Sequence, residues 1–435
     1  MLDFVKENSQ FYMLILIWVI AGIIAPELAM VVIPLTLMLL KKKGRYAEII
    51  VAFAILLYFS DNRKHEFAFA GKTKDIALVL VSLFVMLDSK QFFSKSKFWY
   101  PFTAFFLVAS ISMFRNPLPM LAFQKTLSFA LMFIFIPNYF TREIALDRGE
   151  RMLKLWIWSG TLLYVVALGL SRILPENYTY LVGRYNGLLG NPNGIGSFST
   201  VFFIMIMLTL QKHPKMFTKP QLVLIFGSLI LSVLMSGSRN CIFSILIFLF
   251  FSRFYKISYW VGFVIVIIVA ILFQIINENL PAIINAFGLG DYFRVDHLED
   301  GSGRLIAWTF GWQEIQNNFM LGRGFSYEET LFEENKYWLN DLGHLGGVHN
   351  TFLALWLNTG IIGLIVYLVG FFKNFFKAAS VNYMALPTMF AILFSCMFEA
   401  WFQGSLNPFT IIAILNITLL QHVDTTQEKN TIPVL

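Results

Sequence analysis

The chain has 435 residues, of which 57% are hydrophobic, 17% are aromatic and only 14% are charged, and its formal net charge is +7. This composition, together with a positive mean hydropathy, lies outside the range of ordinary globular proteins and predicts a polytopic membrane protein. The positive charge does not indicate nucleic-acid binding, because Lys and Arg are scattered over short connections rather than clustered on one face.

The apolar runs predict an all-α fold, a bundle of about 12 to 14 transmembrane helices, since each span needs roughly 20 apolar residues. The run 121–140 carries Gln124 and Lys125 and also fits an amphipathic helix at the membrane surface. The predicted spans lie near residues 10–24, 27–40, 46–60, 75–89, 98–114, 120–140, 153–173, 195–211, 221–236, 240–253, 257–277, 350–372, 384–399 and 406–421.

We expect one transmembrane domain over residues 1–421, with a large outer loop at 277–349 and a short cytoplasmic tail at 422–435. A loop of this length without structure of its own is uncommon, so we expect short helices in it and a functional role. One is predicted over Ile306–Asn317, where apolar residues recur at helical spacing.

Positive charges predict the orientation of the chain. With the N-terminus inside, the inner connections, which include the groups at 41–45 and 142–154, hold more than half of the 33 Lys and Arg. Both termini are then cytoplasmic, and three segments with unusual residues share the outer face: 171–196, 236–240 and 277–349.

Each outer segment contains an arginine beside small residues. Arg184 lies in GRYNGLLGNPNGIG, Arg239 lies in SGSRN, and Arg304 follows Gly-Ser-Gly. A guanidinium stays charged and can grip phosphate oxygens bidentately, so the three predict a site for a pyrophosphate or lipid phosphate. The alternative for any single arginine is a snorkelling anchor at a span end. Three such arginines on the side that the orientation rule disfavours point to a shared anion site.

His349 lies where the loop re-enters the membrane, and Asn350 and Thr351 after it form a plausible helix start. A histidine in this position can accept a proton near neutral pH. A histidine that only hydrogen-bonds the loop is the alternative. His344 is a weaker candidate, since nothing in the sequence fixes it to an element.

Other residues in the loop leave alternatives open. The acidic group Asp291, Asp296, His297, Glu299 and Asp300 could bind a hard cation, but it lacks the spacing of a known calcium loop, and a solvated loop is the favoured interpretation. The side chains of Trp308, Trp312 and Trp338 could stack on sugar rings, pack within the loop or lie at the membrane interface as anchors.

Three residues near the ends or in the interior of predicted spans have distinct predicted environments. Glu399, near the outer end of the penultimate span, is either a partner for one of the arginines or an interfacial carboxylate. Cys241 and Cys396 lie in apolar surroundings, which predicts buried thiols rather than a disulfide.

The segments GRYNGLLGNPNG, SGSRN, GSGRLIAW, GRGF and HNTFLALWLNTGIIGL together resemble the bacterial O-antigen ligase and polymerase family of multi-span glycosyltransferases. The resemblance is confined to roughly residues 180–370, and the first 170 residues share only their hydrophobic spans with the family.

The resemblance implies a metal-independent, inverting GT-C enzyme without a cofactor, in the bacterial inner membrane. Such an enzyme transfers a glycan from undecaprenyl diphosphate to an acceptor sugar hydroxyl on the periplasmic face. It places diphosphate binding on Arg184, Arg239 and Arg304, and catalysis on His349 with Arg239 and Arg304. Trp308, Asn350 and Arg323 are then candidate acceptor or sugar contacts, and Arg323 in GRGF matches the family less well.

A polymerase of O-antigen or other surface-polysaccharide repeat units is the leading hypothesis, because the predicted span number exceeds what we expect for the ligase. The close alternative is a ligase that joins the glycan to lipid A core. A transporter of lipid-linked glycans belongs to a different class and would place broken helices or charges near mid-membrane. The implied partners are the lipid-linked donor, the acceptor, membrane lipid and other polysaccharide-assembly proteins.

Overall fold

A computed structural model describes residues 2–62, 64–93, 95–269, 288, 303–344, 346–403 and 406–422. Its long elements are all α-helices, as the apolar runs predict. The helices before the large loop are α1 (Leu2–Glu7), α2 (Ser9–Ile24), α3 (Pro26–Lys42), α4 (Tyr46–Ser60), α5 (Ala68–Leu87), α6 (Thr103–Ser112), α7 (Pro119–Ala145), α8 (Gly149–Ile173), α9 (Pro192–Lys212), α10 (Lys219–Ser236), α11 (Arg239–Tyr255) and α12 (Tyr259–Val269).

The helices within and after the loop are α13 (Arg304–Asn317), α14 (Tyr327–Glu334), α15 (Lys336–Asp341), α16 (Thr351–Ala379), α17 (Ala385–Phe398) and α18 (Pro408–Gln421). Short 3-10 turns lie at His65–Phe67, Tyr100–Phe102, Met113–Arg115 and Glu176–Tyr178. The prediction of a helix over Ile306–Asn317 is confirmed by α13.

Each predicted span coincides with a helix, although the predicted span at 257–277 is described only up to residue 269. Among the described residues, five helices are long and apolar enough to cross a membrane: α7, α8, α9, α10 and α16. The run at 121–140 belongs to one of these, the 27-residue α7, which favours a span over a surface helix. The number of spans and the division into domain, loop and tail stay predictions.

The core of the bundle is formed by α4, α9 and α18. Nearly every side chain of these three helices is buried, including side chains all around α4 from Tyr46 to Phe59. A helix that is apolar on every side is expected at the centre of a membrane bundle rather than at its surface. By contrast, α2, α3 and α10 expose large apolar side chains on one side, as lipid-facing helices do.

The connecting segments collect at two opposite ends of the bundle. At one end, which we call the loop end because it carries residues 303–349, the connections predicted to be outside contact one another. The contacts there join Gly190 to Asp61, Arg184 to Ser236, Lys125 to Glu329, and Asn116 to Phe325.

The other end, which we call the basic end, carries the Lys and Arg groups at 41–45 and 142–154. The contacts there join Tyr46 to Asp88, Ser96 to Asn138, Gln211 to Asn382, and Gln421 to Asn374. The described connections therefore sort into two groups as the alternation of spans predicts.

One small hairpin lies at the loop end. Strands β1 (Tyr180–Leu181) and β2 (Arg184–Tyr185) pair antiparallel, with Tyr180 opposite Tyr185 and Leu181 opposite Arg184. The two residues between them, Val182 and Gly183, both have positive φ values, +49° and +69°. This is the type I′ geometry that matches the twist of a tight hairpin. The hairpin points the side chain of Arg184 toward α10.

Candidate active site

Glu399 joins two of the predicted site residues. It follows the last residue of α17, so its side chain lies beyond the end of that helix. Its Oε1 atom is 2.9 Å from Nη2 of Arg304, and its Oε2 atom is 3.3 Å from Nδ1 of His349. Its side chain is only 11% exposed. One buried carboxylate thus connects a guanidinium and an imidazole that are 45 positions apart in sequence.

Electrostatics keep this carboxylate ionised. Burial raises the pKa of Glu399, but His349 and Arg304 lower it by more, so its pKa lies below the ordinary carboxyl value. A buried charge without partners is costly, and here the partners are in contact. Arg304 also lies over the ring of Phe398, with its Cζ atom 5.7 Å from the ring centroid.

Gly303 allows Arg304 to take this place. Its φ of +78° is a left-handed conformation, and a Cβ on it would lie 2.9 Å from the carbonyl oxygen of Gly343. A glycine is therefore needed for the start of α13 to approach the turn that precedes His349.

His349 is held in a strained turn. Its φ is +46°, which is uncommon for a residue other than glycine. The preceding residue, Val348, is held by two hydrogen bonds. Its carbonyl accepts one of 3.0 Å from the indole of Trp308, and its amide donates one of 2.9 Å to Glu328. Asn350 caps α16 through its side-chain oxygen, as its sequence predicts. Backbone strain of this kind persists only where the surroundings enforce it.

Glu328 is a site residue that the sequence did not indicate. It is 4% exposed, and its own amide donates to Oδ1 of Asn358 over 3.1 Å. Burial raises the pKa of Glu328, although its hydrogen bond to Val348 and the nearby His349 act in the opposite direction. Nothing in the local sequence distinguishes Glu328 from the exposed Glu329 next to it.

His344 packs against His349. Their ring centroids are 5.8 Å apart, and Nε2 of His344 lies 3.0 Å from the carbonyl oxygen of Gly347. Burial and the proximity of His349 lower the pKa of His344. The ring of His344 therefore packs against His349 and contacts the turn that precedes it.

Arg184 and Arg239 lie at a second cluster of the same loop end. Nε of Arg184 donates to the carbonyl of Ser236 over 2.9 Å, and its Nη2 reaches Oδ1 of Asn193 at 3.1 Å. Arg239 begins α11, which packs along α17. Its neighbour Asn240 donates to the carbonyl of Ser395, 3.2 Å away and one turn before Glu399. This contact links the second cluster to the helix that carries Glu399.

Two helices at the loop end begin with an arginine. Arg239 and Arg304 are the first residues of α11 and α13, where the helix dipole disfavours a cation and favours an anion. Within the described ranges, no side chain caps these two starts, whereas Asn191 caps α9 and Asn350 caps α16. The N-termini of α11 and α13 therefore combine guanidinium groups with backbone N–H donors, an arrangement that suits an anionic ligand.

The side chain of Arg323 contacts another residue of the same loop. Its Cζ atom lies 5.1 Å from the ring centroid of Tyr327, whose hydroxyl donates to Glu314 over 3.0 Å. The backbone of Arg323 pairs with α16, where Gly360 has a φ of +70° and interrupts the helix. The break was not predicted, because the sequence around it reads as one continuous apolar helix.

The pairing at this break joins the loop to the bundle. Arg323 and Gly324 donate their amides to the carbonyls of Leu357 and Asn358, and Ile361 donates to the carbonyl of Phe319 over 2.8 Å. The loop thus supplies partners for backbone groups that the interrupted helix cannot satisfy by itself.

The remaining predictions have mixed outcomes. Cys241 and Cys396 are buried free thiols, as predicted. Trp308 packs between Val348 and Phe398, so its predicted sugar contact stays a prediction. The acidic group at 291–300 lies outside the described residues, and within the described residues no three metal-ligating side chains come close enough to hold an ion.

Residues 222–368, roughly a third of the chain, match the sequence model of a family described as O-antigen ligase. The matched segment contains Arg239, Arg304 and His349, and it ends before Glu399. No curated protein matches the chain. The resemblance carried by the arginine and histidine motifs is confirmed over this segment, and the chain is a membrane protein in which residues 222–368 are similar to the O-antigen ligase family.

Proposed function

We propose that this protein is a glycosyltransferase that moves a glycan from undecaprenyl diphosphate to an acceptor sugar hydroxyl on the outer face of the bacterial inner membrane. The observation that carries the proposal is the bridge from Arg304 through Glu399 to His349. It sets a group that can stabilise a departing anion beside a group that can accept a proton.

The arginines bind the leaving group and stabilise its charge. As the bond between the anomeric carbon and the diphosphate breaks, the diphosphate takes the electron pair and gains negative charge. A guanidinium has five N–H donors, so Arg304 keeps donors for phosphate while one nitrogen binds Glu399. With Arg184 and Arg239 at the same end, fixed positive charge stabilises the transition state in the role that a divalent metal fills in many sugar transferases.

His349 serves the attacking hydroxyl. Glu399 accepts the hydrogen bond of Nδ1, which selects the tautomer whose Nε2 nitrogen is basic. As the acceptor oxygen bonds to the anomeric carbon, its proton passes to Nε2, and the Glu399 carboxylate stabilises the imidazolium that forms. One displacement of this kind inverts the anomeric centre.

The position of the charges favours an enzyme over a lipid-linked glycan transporter. Arg304, Glu399 and His349 lie at helix starts and ends at one end of the bundle. A transporter is expected to place such groups near the middle of its spans.

The nature of the acceptor gives two versions of the proposal. The predicted number of spans supports a polymerase of repeat units, whereas the family description supports a ligase that uses lipid A core. Purified protein should be given lipid-linked repeat units alone and then together with lipid A core. A glycan ladder in the first reaction supports the polymerase, and strict dependence on the core supports the ligase.

Substitution of the bridge residues tests whether this site carries out glycan transfer. His349→Ala and Arg304→Ala should each lower glycan transfer in membranes by about 10²-fold or more, because general-base and charge-stabilising groups contribute on this scale. Matched controls are His213→Ala at the basic end and Arg115→Ala beside Asn318. Wild-type rates in both site variants, at equal amounts of inserted protein, would remove the proposed site.

A further inference from the structure

A cavity lies at the basic end, between the start of α2 and the end of α3. Its volume is about 520 Å³, which is within the usual size range of small-molecule pockets. It is far from the candidate active site, because the two lie at opposite ends of the bundle. What binds there is therefore independent of the proposed function.

The lining of the cavity has two chemical characters. Met13, Leu14, Leu39 and Leu40 form an apolar wall on the two helices, and Ser9 and Gln10 also line the cavity. Lys43 and Arg45 form a cationic side, which we call the mouth. Met13 and Leu39 are 60% and 55% exposed. An apolar wall beside a cationic mouth fits an amphiphile with an anionic head group.

The mouth has an excess of positive charge. Arg45 is paired with the buried Glu48, which is shared by two guanidinium groups: its Oε1 atom is 3.1 Å from Nε of Arg45 and 2.9 Å from Nη2 of Arg151. Nearby, Lys41 pairs with Asp88 over 3.4 Å. One carboxylate between two guanidiniums leaves one net positive charge, and Lys43 adds a second positive charge.

We infer that this cavity binds an anionic phospholipid. Its phosphate contacts Lys43 and Arg45, and one acyl chain lies along Met13, Leu14 and Leu39. Basic pockets between membrane helices are suited to acidic lipid head groups. A free phosphate would leave the apolar wall in contact with water, whereas an acyl chain covers it.

The experiment measures the thermal stability of the full-length protein in nanodiscs. A ligand that binds the folded state raises the Tm as its concentration rises. Replacing phosphatidylcholine stepwise by phosphatidylglycerol should therefore raise the Tm of the wild type to a plateau. Lys43→Gln should lose most of this rise, because it removes a head-group contact. Leu14→Trp should lose it as well, because the indole fills the wall without changing any charge.

Each variant has a matched control. Lys97→Gln makes the same charge change at an exposed site of the same end, and Ile17→Trp adds an indole on the same helix outside the cavity. Both should respond like the wild type, and all four variants should have wild-type stability in phosphatidylcholine alone.

Three results would overturn the inference. The first is a full phosphatidylglycerol response in both cavity variants. The second is an equal loss in Lys97→Gln, which would show a general surface-charge effect. The third is a wild-type Tm rise of the same size with inorganic phosphate in phosphatidylcholine nanodiscs, which would show a free-anion site.

Discussion

At the scale of single residues, the function depends on a carboxylate that holds two unlike partners. The sequence suggested Arg304 and His349 because each lies beside small residues or a helix start in an otherwise apolar chain. It left the role of Glu399 open, because nothing near position 399 shows which distant side chain it meets. The structure supplies that contact, with Oε1 on Arg304 and Oε2 on His349.

This pairing predicts how stability depends on pH. Because the pKa of Glu399 is lowered in the folded protein, its ionisation stabilises the fold above the unfolded value of about 4.3, and this contribution is lost as pH falls through the lowered pKa. The Tm of Glu399→Gln should thus lie below that of the wild type at neutral pH, and the difference should shrink as the pH falls. Tm curves that run parallel over the whole range would refute the pairing.

Glu328 permits a test of positioning. Glu328→Ala removes the acceptor for the Val348 amide and should slow glycan transfer, because His349 loses a restraint on its strained turn. Glu328→Gln keeps an acceptor oxygen at the same place and should retain most of the activity. Transfer rates at saturating acceptor measure both. A loss in the Gln variant as large as in the Ala variant would mean that the charge, not the hydrogen bond, is required.

At the scale of elements, apolar runs predicted where helices lie but not where they break. Within the described residues, each of the predicted spans coincides with a helix because burial in lipid or protein requires backbone groups to bond within the segment. The break at Gly360 depends on the loop 319–324 arriving from elsewhere in the chain to bond the open carbonyls and amides. Local sequence does not contain that contact.

Gly360→Ala tests the importance of this break. The residue has a φ of +70°, and a Cβ on it would overlap the backbone of Met320. Strain of this type costs about 1–3 kcal/mol before the clash is counted, so the variant should unfold at a lower temperature and transfer glycan more slowly. Gly227→Ala, in α10, is the control: nothing lies within 4 Å of its added Cβ, so it should keep wild-type stability and activity.

At the scale of the whole molecule, the alternation of spans and charges predicted which connections meet. Segments assigned to the same side contact one another across long sequence distances. For example, Asp61 contacts Gly190, and Lys125 contacts Glu329. Which end faces the outside of the cell stays a prediction that rests on the positive charge of the basic end.

Labelling of engineered cysteines decides the orientation. Cys241 and Cys396 are buried and should not react. Tyr337, which is 75% exposed, lies at the loop end, and Lys95 is exposed in the connection that follows α5. In intact cells, a membrane-impermeant maleimide should label Tyr337→Cys and not Lys95→Cys. The opposite pattern would place the arginines in the cytoplasm and would rule out transfer on the outer face.

The most direct test of the central claim measures undecaprenyl diphosphate released and glycosidic bonds formed by purified protein with a lipid-linked glycan and its acceptor. The account predicts one release per bond in the wild type, and a fall in both rates of about 10²-fold or more in Glu399→Gln. Glu333→Gln, which changes an exposed carboxylate paired with Lys336, should behave like the wild type. Equal rates in Glu399→Gln and the wild type would contradict the account.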